Sequence, residues 1–330
     1  MQVLITGGAG FIGSTLAQSL HRQGHAVTVL DNLSTGRIDN LSGLLGQPHF
    51  NFQEGSVTDA CTVAPLMAAC DVCYHLAAPV GVQYIMQHPV RTILENIRGI
   101  DVVLEAAARH HRRILIASTS EVYGRSLDLL DPKQNRRLKE TDYRIEGDTQ
   151  NHRWAYANSK ALDEFLALAY YKEQGTPAVI VRFFNTVGPR QLSQYGMVIP
   201  RFVEAALTGS DLVVYGTGEQ RRSFLHVEDV VEVLPRLMDC PQAYGQVFNL
   251  GNPEEITINE LARLVIERTA SPSAIRHVSY EEAYGSGFED MNRRTADVGK
   301  IDALIGLQLK YGLADILEDV IATRRHSLRA

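Results

Sequence analysis

The chain has 330 residues, 45% of them hydrophobic, with 32 basic against 38 acidic side chains and a net charge of −6. That length buries a large core in one or two domains, and the mildly acidic balance argues against nucleic acid or an anionic membrane surface as a partner. No apolar run is long enough to cross a bilayer, and the opening Met1-Gln2-Val3-Leu4-Ile5-Thr6-Gly7 reads as a strand rather than a signal peptide, so a cytoplasmic protein is expected.

Residues 3–6 form the first expected strand, followed by Gly7-Gly8-Ala9-Gly10-Phe11-Ile12-Gly13. The spacing Gly7, Gly10, Gly13 lets the backbone turn tightly and approach a pyrophosphate. The helix expected over 11–23 presents free N–H groups and a positive dipole end to it. A second strand, 27–30, ends at Asp31, placed to accept hydrogen bonds from an adenosine ribose. Its charge repels a 2′-phosphate, so NAD is the expected cofactor, with NADP kept as the alternative by Arg37. A third strand, 50–53, leads to Asp59, which either touches the adenine edge or caps a helix at 62–69.

The next strand, 72–75, contains Cys73, which makes a CxxC pair with Cys70 just before it. A structural zinc needs further ligands at suitable spacing, and no second pair exists. The thiols are expected as small core residues, the eleven histidines show no ligand pattern, and no metal is expected. A helix over 89–110 and a strand over 114–118 lead to Ser118-Thr119-Ser120-Glu121-Val122-Tyr123-Gly124. The charged stretch 126–153, with Asp131-Pro132-Lys133, Asn135-Arg136-Arg137 and Glu146-Gly147-Asp148, reads as an exposed loop near the mouth of a site. The helix over 153–174 carries Tyr156 and Lys160, four residues apart and so on one face. The lysine charge favours the tyrosinate, which makes Tyr156 a base near neutral pH. Thr119 supplies a hydroxyl for the same substrate oxygen, and Glu121 adds a carboxylate that simple alcohol oxidation does not need.

With a strand at 179–182, apolar strands alternate with helices, which implies a Rossmann-type α/β fold: a doubly wound parallel sheet. Beyond it lie a loop at 185–190, a helix at 199–207 and a short strand at 211–215. A helix at 227–238 and a strand at 247–250 return to the sheet, and helices at 258–269 and 313–325 follow. The expected division is a dinucleotide domain, 1–184 with 226–250, and a smaller mixed α/β domain, 185–225 with 251–330. The apolar-faced helices 89–110 and 153–174 either build a homodimer through a four-helix bundle or pack on the sheet alone.

The glycine loop, Asp31, His75-Leu76-Ala77-Ala78, the Ser118–Gly124 run, Tyr156 with Lys160, Arg182-Phe183-Phe184-Asn185-Thr186-Val187-Gly188-Pro189-Arg190 and Arg222-Ser223-Phe224 together resemble the extended short-chain dehydrogenase/reductase family. Its members modify nucleotide sugars, and the resemblance covers essentially the whole chain. Within that family, Thr119-Ser120-Glu121, Asn151-His152-Arg153-Trp154-Ala155-Tyr156 and Leu250-Gly251-Asn252-Pro253-Glu254 are similar to the UDP-glucuronate decarboxylases. So is Tyr284-Gly285-Ser286-Gly287-Phe288-Glu289-Asp290 followed by Arg293-Arg294. Ala296 departs, standing where many relatives have proline. Asp297 agrees with the xylose-forming decarboxylases but not with the aminoarabinose-pathway enzyme. The 4,6-dehydratases usually carry Asp where this chain has Ser120, and sugar 4-epimerases usually lack the glutamate.

The resemblance implies that Phe11, Ile12, Asn32, Leu76, Ala77 and Ala78 join the cofactor site. Tyr156 would take the proton of the sugar 4-hydroxyl as hydride passes to NAD, while Lys160 holds the tyrosinate and the nicotinamide ribose. Thr119 would bind the same oxygen, and Ser120 would orient the carboxylate end of the sugar. The resulting ketone lies beta to the carboxylate, so carbon dioxide can leave, giving a UDP-4-keto-pentose or UDP-xylose. Glu121 assists near the departing group or is a structural acceptor. Arg294 protonates or stabilises the enolate, or clamps the diphosphate with Arg222. Asn185, Arg190 and Arg201 are expected at the substrate, and Tyr215 borders the uracil or belongs to the core. The rival readings are a UDP-sugar 4-epimerase and, from another class, a non-catalytic NAD sensor on the same fold.

Overall fold

The computed structural model describes residues 1–79, 81–130, 136–193, 197–285 and 289–328; Asp131-Pro132-Lys133, Asn135 and Ser286-Gly287-Phe288, named above, lie outside them. The apolar runs become β1 (Gln2–Thr6), β2 (Ala26–Asp31), β3 (Phe50–Glu54), β4 (Val72–His75), β5 (Arg113–Thr119), β6 (Ala178–Phe183) and β7 (Gln246–Leu250). They form one sheet in the order β7-β6-β5-β4-β1-β2-β3, with every neighbouring pair parallel. β4 is buried at every residue and β6 at all but its last, whereas the edge strand β3 is half exposed. Burial on both faces is why the inner strands read as continuous apolar runs rather than alternating ones.

The longer helices are α1 (Phe11–Arg22), α2 (Ala60–Ala69), α3 (Pro89–Arg109), α4 (Arg153–Gln174), α5 (Val198–Leu207), α6 (Val227–Met238), α7 (Ile258–Thr269) and α8 (Leu313–Ser327). Successive strand residues point to opposite faces, so Val3 and Ile5 join Leu16, Leu20, Val230 and Leu234 of α1 and α6. Leu4 joins Val63, Met67, Ile100, Val103 and Ala167 of α2, α3 and α4 on the other face. After β6 the chain leaves the sheet and returns once through α6 and β7. Outside the sheet Phe202, Val203, Leu261, Val265, Leu317 and Val320 make a separate apolar cluster. Among the described residues no helix is long and apolar enough to cross a membrane.

The stretch 126–153 departs from the expected exposed loop. Its first residues form a short helix, Ser126–Leu130, and Leu127 and Leu138 are buried against Val122, Tyr123, Phe184 and Ala296. Bridges Gly124 to Ile145 and Leu138 to Ala296 tie it down. Isolated leucines among the charges supply enough apolar contact to anchor the segment.

The sheet order reverses between β1 and β4, so the chain departs in opposite directions on either side and a crevice opens at their carboxyl ends. Thr6 and His75 end those strands in register, with Thr6 Oγ1 and His75 Nδ1 2.8 Å apart.

Candidate active site

The glycine loop follows β1 at this crevice. Gly7 has φ +71°, and a Cβ there would lie 2.7 Å from the Ala77 backbone; at Gly13 it would lie 2.3 Å from the Gly7 carbonyl oxygen. Gly7 thus permits the turn, and Gly13 lets α1 sit against the loop. Gly10 is the N-cap of α1 and brings no capping side chain, which leaves the first-turn amides for an anion. Asp31 closes the arrangement: Oδ2 accepts from Ala9 N at 2.9 Å and Oδ1 from Leu33 N at 2.8 Å. Burial raises its carboxyl pKa, and those two N–H groups oppose the rise. These residues fit a dinucleotide: Gly7, Gly10, Phe11, Ile12, Gly13, Asp31, Asn32, Leu76, Ala77 and Ala78 all line one cleft of about 460 Å³.

Asp59 takes the other course open to it. Its carboxylate accepts from Cys61 N at 3.0 Å and Thr62 Oγ1 at 2.6 Å, capping α2, and it is not among the cleft-lining residues. These bonds hold its carboxyl below the usual range.

The same cleft is lined by Thr119, Ser120, Glu121 and Tyr156. Thr119 ends β5 and caps the short 3-10 turn Ser120–Tyr123 by accepting from Glu121 N at 3.2 Å. That turn aims Glu121 across the cleft, where Oε1 lies 3.2 Å from Arg294 Nη1. Arg294 Nη2 donates to Asn185 Oδ1 at 2.7 Å, and Asn185 Nδ2 donates to the Ser223 carbonyl at 2.8 Å. Asn185 sits at φ +27° after β6, backbone that asparagine tolerates better than most and that recurs at functional sites. Lys160 is buried and does not line the cleft; its Nζ donates to Asp163 Oδ2 at 2.6 Å.

Arg222 and Arg294 stand in register on a short parallel ladder, and each has its own acid. Arg222 Nη2 pairs with Asp290 Oδ2 at 2.9 Å, which also accepts from the Tyr280 hydroxyl at 3.3 Å. Both arginines, Arg201 and Tyr215 line the cleft. The Arg201 guanidinium lies 4.1 Å from the Tyr215 ring centre, and Tyr284 meets Tyr215 edge-on at 5.2 Å. Arg190, expected at the substrate, is instead bound to α1: Nη1 donates to Ser14 Oγ at 3.0 Å and Nη2 to Gln18 Oε1 at 2.7 Å. Its length carries it back over the glycine-loop helix, and it lines the cleft from that side.

Tyr280, Tyr284 and Asp290 also line the cleft, and the sequence reading gave them no role. The i, i+4 spacing of the two tyrosines in the helix Tyr280–Tyr284 was the available signal. Cys70 and Cys73 are buried and unpaired. Burial pushes the Cys70 thiol up to about 11 and also raises the Cys73 thiol well above its ordinary value, which keeps both in the unreactive thiol form.

A glycine-loop cleft at the switch point of a parallel sheet, with a tyrosine of α4 beside it, defines a dinucleotide-binding protein of the Rossmann type. The model of the NAD dependent epimerase/dehydratase family matches residues 3–251, and the chain belongs to that family. A UDP-N-acetyl-alpha-D-glucosaminuronate decarboxylase of Bacillus cytotoxicus is 41% identical over 299 residues, covering 90% of this chain and 89% of that one. UDP-glucuronic acid decarboxylase 1 of Xenopus tropicalis is 36% identical over 327 residues, 99% of this chain and 73% of the relative. Among solved structures, UDP-glucuronic acid 4-epimerase of Bacillus cereus, in complex with UDP-glucuronic acid and NAD, superposes with a TM-score of 0.87 at 25% identity, covering 99% of this chain and 100% of that one.

Proposed function

We propose that the protein is an NAD-dependent decarboxylase of UDP-hexuronates, with UDP-glucuronate as the leading substrate. The carrying observation is the Glu121–Arg294–Asn185 network lining the same cleft as Tyr156 and Thr119. NAD, when bound, accepts the hydride from the sugar C4. Tyr156 takes the 4-hydroxyl proton, and Thr119 holds that oxygen in line. Oxidation leaves a ketone beta to the carboxylate, and the electrons of the departing carbon dioxide pass into that carbonyl. Arg294 faces the enolate that forms and stabilises its charge, while Glu121 fixes Arg294. Arg222, with Arg294 next to it on the ladder, receives the diphosphate. Tyr215 and Arg201 form a flat platform for the base.

The decarboxylase names of the 35–41% identical relatives support this reading, and the Bacillus cytotoxicus enzyme adds the 2-acetamido hexuronate as a second candidate substrate. The epimerase reading draws on the Bacillus cereus neighbour, and an acid–guanidinium pair is surplus to it. Incubation with UDP-glucuronate, and separately with UDP-N-acetylglucosaminuronate, tests the proposal. Release of carbon dioxide with loss of its mass from one nucleotide sugar is expected. An isomer of unchanged mass would replace the reading with epimerisation, and no turnover of either would favour the NAD sensor.

In the same reading, residues 1–184 with 226–250 hold the dinucleotide and residues 185–225 with 251–330 hold the nucleotide sugar. The four free thiols fit a reducing compartment, which supports the cytoplasm. A homodimer is supported by Val90 and Leu94 on α3 and Leu162 and Phe165 on α4, which are 70%, 41%, 46% and 64% exposed, an apolar face on two helices that pack together. Light scattering should read about twice the 36.6 kDa chain mass, and Phe165→Glu should return it to the single-chain value.

A further inference from the structure

Asp163 is a buried carboxylate beside the proton-transfer pair that the mechanism above does not use. It is 1% exposed, and Tyr156, Lys160 and Asp163 occupy positions i, i+4 and i+7, one face of α4. Its Oδ2 lies 2.6 Å from Lys160 Nζ. Its Oδ1 has no hydrogen-bond partner among the described residues. Burial raises its carboxyl pKa, and the Lys160 ammonium opposes the rise.

The surrounding groups leave Lys160 to Asp163. On β4, His75 is pushed down to about 3 by burial and by the Lys160 charge, so it stays neutral at working pH. Glu164, next on α4, is held by Arg182 of β6 at 2.7 and 2.9 Å and by the Ser118 hydroxyl of β5. On α3, Glu95 pairs with Arg91 at 2.6 Å, and the neutral Asn96 donates to Ser159 Oγ at 2.9 Å.

We propose that Asp163 is a positioning residue: its carboxylate holds the Lys160 ammonium and, by offsetting part of its charge, sets the basicity of Tyr156. The inference rests on the reading of Tyr156 as the base. A lone ammonium behind the phenol favours the phenolate and lowers its pKa. A carboxylate against that same ammonium weakens the effect, so Tyr156 keeps its proton to higher pH than Lys160 alone would allow. A group that must take a proton from the sugar, and give one back when a keto sugar is reduced, works best with a pKa near the operating pH. Asp163 moves Tyr156 away from too acidic a value.

The test uses NAD-loaded full-length protein carrying ring-labelled tyrosine, with the Tyr156 resonance assigned by its loss in Tyr156→Phe. Its titration is compared in wild type, Asp163→Asn and Asp163→Ala, and the acid limb of kcat/KM is followed in the same variants. Both midpoints should move to lower pH by about one unit. In a Lys160→Met background, Asp163→Asn should move neither. A phenol midpoint that stays at the wild-type value in a folded, NAD-loaded variant overturns the proposal. So does failure of both variants to fold, which would make Asp163 a structural counter-ion. If Tyr156→Phe retained turnover, the catalytic reading would fail instead, and the phenol titration would still decide whether Asp163 acts on it.

Discussion

Tyr156→Phe should lower turnover of the preferred UDP-hexuronate by about 10³-fold, within the range expected for a lost general base, with NAD affinity and thermal stability close to wild type. The substitution removes one hydroxyl and keeps the ring, so packing changes little. The size of the effect follows from how the groups around Tyr156 are already engaged. Thr119 Oγ1 already accepts from Glu121 N and is too weak a base unassisted. Glu121 is committed to Arg294, and an acid so paired is a poor proton acceptor. His75 is fully enclosed against Thr6 and has no path to the sugar. Lys160 is held by Asp163 and does not line the cleft. Rapid mixing that follows the nicotinamide absorbance isolates the first step. A fall of less than about tenfold there would show that another group takes the proton, and the assignment would be lost.

Much of this site was legible because its parts are local. Gly7, Gly10 and Gly13 announce themselves by spacing, and Asp31 by its distance from them. Tyr156 and Lys160 need nothing beyond helix periodicity to share a face. The inner sheet strands were legible for the opposite reason: burial on both faces leaves apolar runs with no alternation to misread. What escaped depends on tertiary contact. Asp59 after a strand serves equally as a helix cap or a base contact, and the local bonds to Cys61 and Thr62 won. The charges of Arg136, Lys139 and Asp142 concealed that Leu127 and Leu138 reach an apolar cluster. Arg190 can reach either side of the cleft, and the choice lies with Ser14 and Gln18 on a helix far away in sequence. Asp163 falls on the same helix face as Tyr156, yet its burial depends on tertiary packing against α4, where α3 and β5 are among the elements that arrive from distant parts of the chain.

Removing the acid–guanidinium pair should separate the two halves of the reaction. In Glu121→Gln and in Arg294→Gln, carbon dioxide release should fall by about 10²-fold, the usual cost of losing one charge-stabilising donor at a developing oxyanion, while reduced nicotinamide builds up during turnover. Tyr156 and Thr119 are intact in both variants, so the sugar is still oxidised; the beta-keto acid then waits for an enolate that nothing stabilises. Glutamine is the right replacement because it removes the charge while keeping more of the side chain's packing and hydrogen bonding than alanine does, which limits the confusion of folding with chemistry. The Glu121 and Arg294 side chains are 13% and 11% exposed; an amide keeps the volume of Glu121 and, at both positions, part of the hydrogen bonding. The double variant should be hardly worse than either single one, since the two residues act through one contact. Equal losses of nicotinamide reduction and carbon dioxide would place both residues in the oxidation step or in binding, and would remove the feature that separates a decarboxylase from its epimerase relatives.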